Sequence, residues 1–272
     1  MSYFTELTRS RELLANLVAR EVKGQYRRTV FGQLWSLFNP IATMLVYTLV
    51  FSIIFRAQPE PGDPSGLDIY PLWLMCGLLP WLYFSRVVNG GLGTMVVNSN
   101  LIKKVYFPRM LLPFSVVLSV GVTWSIEMGV LVVALFIFGG FPLPWLPLVL
   151  VFMVLLAFMA AGVALMLAIL NVHFRDTQHF VTIILQMWMY LTPIIYPVSL
   201  VADVAARNGE WMLFLYRLNP MERFVQVFRD LLYDNRFPEL VDALFCLGAS
   251  SAVFALGYII FVRHEKRLAE LL

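Results

Sequence analysis

Two ionisable side chains, Arg86 and Glu127, interrupt long apolar runs of this 272-residue chain. A charge inside such a run marks a proton or ion path, or a structural pair. Two isolated charges do not make a relay. The expected arrangement is that each pairs with the other, or with a polar neighbour such as Ser85, at a helix contact. Catalytic constellations are missing from the sequence. There is no Gly-x-x-x-x-Gly-Lys-Ser/Thr segment to cradle ATP phosphates, and the GGLG at 90–93 is not followed by lysine. No Gly-x-Ser-x-Gly, His-Glu-x-x-His or carboxylate pair stands out. His173, His179 and His264 form no ligand pattern, and Cys76 and Cys246 sit in apolar runs as packing residues. Neither catalysis nor a metal is expected of this chain, and no nucleic-acid partner.

Aromatic side chains are the other chemical resource. Tyr47, Phe51, Trp73, Trp81, Tyr83, Phe84, Trp188, Tyr190 and Tyr196 lie in the apolar runs, some near Asn39, Thr48 and Thr192. Interface belts and packing account for most such rings. Sugar rings also pack their C–H faces on aromatic faces, and their hydroxyls need polar partners. A water-filled path lined in this way could pass a glycan.

The elements that must position these residues are membrane helices. The chain is 60% hydrophobic and 14% charged, with mean hydropathy +0.77, where a soluble domain carries nearer a quarter charged residues. Backbone groups in lipid must pair within their own segment, so the spans are helical, and no short alternating segments suggest a β-barrel. The expected fold is all-α, a single unit over 1–272. Residues 1–32 form a cytoplasmic interface helix. Leu13, Leu14, Leu17, Val18 and Val22 share one face of it, with Arg9, Arg11, Arg20, Lys23, Arg27 and Arg28 on the others. Five spans follow over 33–196, and a last span with its tail occupies 241–272. The basic residues gather before the first span, at Lys103, Lys104 and Arg109, at Arg175 and in the tail, which puts both termini inside. No internal repeat suggests a carrier built from inverted halves.

Residues 197–240 read differently. Asn219 and Pro220 announce a helix start, and Glu222 three residues after Asn219 suggests a capping box. Met221, Phe224, Val225, Phe228, Leu231 and Leu232 then fall on one face, over a run too short to cross. The segment reads either as an ordinary external loop with one helix, or as a re-entrant or surface-lying helical pair gating the outer end of a path.

Segments in order along nearly the whole chain resemble the permease subunits of ABC type-2 polysaccharide exporters. They are REVKGQYRRTVFGQLWSLFNP, MLVYTLVF, GLLPWLYFS, NLIKKVYFPR, HFRDTQHFVTIILQMWMYLTPIIYP and LNPMERFVQVFRDLL. The resemblance implies a homodimer in a bacterial inner membrane, each copy binding a separate ATP-binding cassette ATPase. ATP and magnesium would sit on that partner, and no cofactor on this chain. The substrate implied is a polyprenyl-linked polysaccharide, such as an O-antigen or teichoic acid, moved to the outer face. It maps Tyr47, Phe51, Trp188, Tyr190 and Tyr196 onto a channel wall, joined by Trp81 and Tyr83 of GLLPWLYFS. It makes Lys103, Lys104, Tyr106, Phe107 and Arg109 the ATPase-coupling loop. It makes Pro220, Glu222, Arg223, Phe224 and Phe228 part of an external gate. A drug or lipid exporter of the same superfamily, and an ATP-independent carrier, are the alternatives.

Overall fold

The computed structural model describes residues 10–25, 32–54, 61–209 and 211–265. Among them every regular element is a helix. Helix α1 (Arg11–Gln25) is amphipathic and precedes a short 3-10 turn, α2 (Trp35–Tyr47) and its π-helical continuation Thr48–Ile54. Then come α3 (Tyr70–Val97), the short α4 (Ser99–Lys104), α5 (Leu111–Ile137) and α6 (Leu146–His173). Next are α7 (Thr177–Leu191), α8 (Val198–Asn208), α9 (Trp211–Arg217) and α10 (Pro220–Arg229) with a π-helical extension to Asp234. Helix α11 (Leu240–His264) closes the described chain.

Four of these helical segments are long and apolar enough to cross a membrane: Tyr70–Val97, Leu111–Ile137, Leu143–His173 and Leu240–His264. They coincide with four spans expected from the apolar runs: the second from near Ile69, the third from Met110 to about Phe138, the fourth from about Leu146 to Asn171 and the last from Ala243 to Val262. The fifth differs. Its helix is 15 residues long and stops at Leu191, because Pro193 removes a backbone donor and biases Thr192 to an extended conformation, φ −101° and ψ 136°.

Helix α3 is the axis of the molecule. Twenty of its residues are buried, among them Leu74, Cys76, Phe84, Val87 and Leu92. Close approach is set by small residues. A Cβ on Gly91 would come within 2.5 Å of Ala164 on α6, and one on Gly257 within 2.2 Å of the Gly162 carbonyl. Helices α6 and α11 therefore cross almost backbone to backbone, the geometry that lipid-embedded helices use when apolar burial cannot drive association.

Two buried clusters divide the interior. One joins Leu17 of α1 to Met95, Ile102, Phe107, Met110, Leu111, Leu165, Ile169 and Phe261, at the end of the bundle that carries α4. The other fills the middle and the end that carries α10. Helix α10 is not a surface helix. Met221, Phe224, Val225, Phe228, Leu231 and Leu232 are fully buried against the bundle, so the surface-lying reading is corrected for this helix, while Trp211, Phe214 and Leu215 of α9 before it are exposed. Gly77 makes the room, since a Cβ there would meet Val225 at 2.9 Å. Asn235, in the left-handed region at φ 60°, ends the extension.

Candidate functional site

The break after α7 organises the α10 end. A helix end leaves carbonyls without intrahelical donors, and buried ones must be satisfied from elsewhere. Here side chains of α3 and of the Asn219–Arg229 segment supply the donors. Arg229 donates from Nη1 to the Pro193 carbonyl and from Nη2 to the Ile194 carbonyl, both at 2.8 Å. The Tyr70 hydroxyl donates to the Ile195 carbonyl at 2.5 Å. The guanidinium of Arg229 lies 3.5 Å over the Trp73 ring and is 3% exposed. Burial lowers its pKa to about 10, so it stays charged at neutral pH.

Asn219 fastens the start of α10 to the same break. Its Oδ1 accepts from the Met221 amide at 3.0 Å and from Trp188 Nε1 at 2.8 Å. Its Nδ2 donates to Thr192 Oγ1 at 3.0 Å, and Thr192 donates in turn to the Trp188 carbonyl at 2.8 Å. The expected N-cap is present, with Pro220 in the first turn. The expected capping box is not. The Asn219 amide bonds the Tyr216 carbonyl at 3.1 Å, and Glu222 pairs with Arg223 at 3.4 Å.

Arg223 connects three elements. It donates from Nε to the Arg217 carbonyl at 2.9 Å and from Nη1 to Asp242 at the start of α11. Burial pushes the Glu222 carboxyl up to about 7, with Arg223 opposing and Asp242 adding to the rise. Beyond it, Arg236 bonds Asp230 at 2.7 Å, and burial raises Asp234 to about 6. These groups, with Pro61, Asp63, Trp73 and Ser199, line a polar cavity of about 290 Å³.

The aromatic residues named from sequence differ widely in exposure. Trp188 meets Trp81 edge-on at 5.8 Å and Phe84 at 5.4 Å. Tyr190 points outward, 61% exposed, and its carbonyl accepts from the Tyr196 hydroxyl at 2.8 Å, which also meets the Tyr216 hydroxyl at 2.5 Å. Tyr47 is half-buried against the main core. Trp81 and Tyr83 lie inside that core, and Tyr83 stacks on Trp124 at 4.1 Å. The Phe51 side chain lies outside the described ones. Phe224 and Phe228 of the gate set are core residues, Phe228 packing on Trp124.

At the other end, Lys103 and Lys104 close α4, and Tyr106 stands almost fully exposed. Phe107, expected beside it in the coupling loop, is not exposed with it. It folds inward against Leu17 and Ile102, because an extended residue at Val105 turns successive side chains to opposite sides. Arg109 donates to the Glu265 carbonyl. Arg20 donates to Asn98 at 2.8 Å, tying α1 to the same corner. In mid-bundle, Arg86 Nη1 meets Glu127 at 2.7 Å, so the two intramembrane charges pair with each other.

Sequence reasoning missed Arg229 and Asp242. A signal was present for Arg229. It stands four residues after Val225 and three before Leu232, within the apolar stripe, where a cation needs a buried partner. Nothing local identified Asp242 as the partner of Arg223.

Residues 12–233 match the family model described as ABC-2 type transporter. The chain is 33% identical over 248 residues to the O-antigen export system permease protein RfbA of Myxococcus xanthus, covering 91% of this chain and 90% of that protein. A Klebsiella pneumoniae protein of the same name is 29% identical over 266 residues, 96% and 95% of the two chains. The polysialic acid transport protein KpsM of Escherichia coli is 20% identical over 259 residues, 93% of each.

Proposed function

Since the chain belongs to the ABC-2 type transporter family, we propose that it is the membrane permease of an ATP-driven exporter of a polyprenyl-linked polysaccharide. One observation carries this reading: near full-length similarity to two O-antigen export permeases, with a polysialic acid transport protein beyond them. In this account the chain is multi-pass in the inner membrane, with α1, α4 and both termini cytoplasmic. It crosses six times, α2 with its π-helical continuation and α7 with the 192–197 break completing the set. Helix α10 is the re-entrant element at the outer side. ATP and magnesium belong to a separate ATPase that docks at Lys103, Lys104 and the exposed Tyr106.

Two copies would form one path. Support comes from the apolar faces left uncovered on α2 (Ile41, Leu45, Val46) and on α7 (Phe180, Ile183, Ile184, Met187, Tyr190). The path would run between them, with Tyr47, Phe51, Trp188, Tyr190 and Tyr196 on its wall and Trp81 and Tyr83 backing it. Aromatic platforms are tolerant of the unit they stack on, so a repeating chain meets no deep trap. The gate would be α10 with Pro220, Glu222, Arg223, Phe224 and Phe228. Tyr190→Ala tests the wall cleanly, because an exposed ring contributes little to stability. Surface glycan should fall while membrane abundance holds; unchanged glycan would remove Tyr190 from the wall.

A further inference from the structure

Among the described residues, helix α1 is held to the bundle along one edge. Leu17 is buried, and Leu13 and Leu14 pack on the cluster behind it. No described residue covers the next face over. Leu14, Ala15, Val18, Ala19 and Val22 of α1 face Leu118 and Val122 of α5 across a groove of about 530 Å³ whose walls are almost wholly apolar. Ala15 and Ala19, one turn apart, keep that wall low. Leu118, Val122 and Ile126, all exposed, continue the track along α5 toward the bilayer interior.

Two cations line the same groove, Arg11 and Lys23. Neither makes an ion pair among the described residues, whereas Arg20 on the same helix is engaged by Glu21 and Asn98. An apolar slot rimmed by cations that are unpaired among the described residues has the chemistry of an amphiphile site, acyl chain in the slot and phosphate at the rim.

We propose that the α1–α5 groove binds an anionic phospholipid of the cytoplasmic leaflet. Among the described residues the carboxylates nearby do not cancel the charge, since Glu21 is taken by Arg20 and Glu12 does not line the groove. The occupant is a resident lipid rather than the exported carrier. Its placement at the cytoplasmic leaflet rests on the topology proposed above, but its binding requires neither ATP nor glycan.

The test titrates the full-length, delipidated permease with phosphatidylglycerol and, separately, phosphatidylcholine, counting bound lipid by native mass spectrometry. Wild type should hold one phosphatidylglycerol far more tightly than phosphatidylcholine. Each basic residue near an anionic lipid surface contributes enough that Arg11→Gln with Lys23→Gln should weaken that site about thirtyfold. Ala19→Phe, which fills the slot and leaves the cations, should also abolish it, and Lys103→Gln with Lys104→Gln should leave it unchanged. Equal affinity for the two lipids, or a double variant that binds like wild type, overturns the proposal. Stoichiometric displacement of phosphatidylglycerol by polyprenyl phosphate also overturns it and assigns the groove to the carrier. Loss of glycan export with lipid binding intact would bear on the exporter reading alone.

Discussion

Replacing Arg229 with methionine removes the donor that two broken-helix carbonyls depend on. The Pro193 and Ile194 carbonyls each lose a bond of 2.8 Å, and a buried acceptor left unpaired costs about 1–3 kcal/mol. The charge also leaves its seat 3.5 Å over Trp73, a contact of about 2 kcal/mol when desolvated. Against these stands relief of the desolvation that lowers the Arg229 pKa to about 10, itself several kcal/mol per ion, roughly. The carbonyl losses and the ring contact together exceed that relief, leaving a net destabilisation of about 2–3 kcal/mol. For a chain of this size that lowers the melting temperature by about 5–10 °C. Arg229→Lys keeps the charge but offers a point donor that cannot lie flat on the indole and span both carbonyls, so roughly half the loss is expected. The assay is thermal unfolding of the purified permease followed by tryptophan fluorescence. A methionine variant that melts at or above the wild-type temperature would refute the clamp and show the guanidinium to be a net burden.

Gly162→Ala or Gly257→Ala should force α6 and α11 apart, since either Cβ would meet backbone at 2.5 Å or less, and folded protein recovered by size exclusion should fall sharply. Glu222, raised by burial to about 7, binds its proton more tightly in the fold than in the unfolded chain. Its stabilising contribution is therefore complete below about pH 4.5 and lost as pH rises through about 7. Glu222→Gln should flatten the fall in melting temperature between pH 5 and 8, leaving the smaller slope that Asp234, raised to about 6, contributes in the same direction. Tyr106→Ala should leave thermal stability unchanged and reduce co-purification of the ATPase. Phe107→Ala, at a buried position, should cost about 3–5 kcal/mol in the same melting assay.

Hydropathy located the long helices because lipid imposes a strict length and composition on whatever crosses it. Tyr70–Val97 and Leu111–Ile137 fall where apolar runs begin and end. The Asn219 cap was legible as well, since capping is local chemistry. The chain could not announce that α10 is swallowed by the bundle, because its amphipathic stripe fits a surface as well as a core and Gly77 decides between them from far away in sequence. Tyr83 and Tyr190 both read as candidate wall rings, yet one stacks on Trp124 and the other faces outward. Hydropathy carries no angle about the helix axis. Tyr106 and Phe107 share a loop, and only its extended backbone sends one outward and one inward.

Under the proposed function this permease moves a lipid-linked glycan only when an ATPase drives it. The direct measurement reconstitutes the permease with its ATPase in inside-out vesicles and follows the protection of an added polyprenyl-linked glycan from an external glycosidase. Protection that grows with ATP, is absent with a non-hydrolysable analogue, and requires both subunits is the predicted result. Protection that proceeds without ATP or without the ATPase, or no protection of any polyprenyl-linked glycan under conditions where the complex hydrolyses ATP, would contradict it.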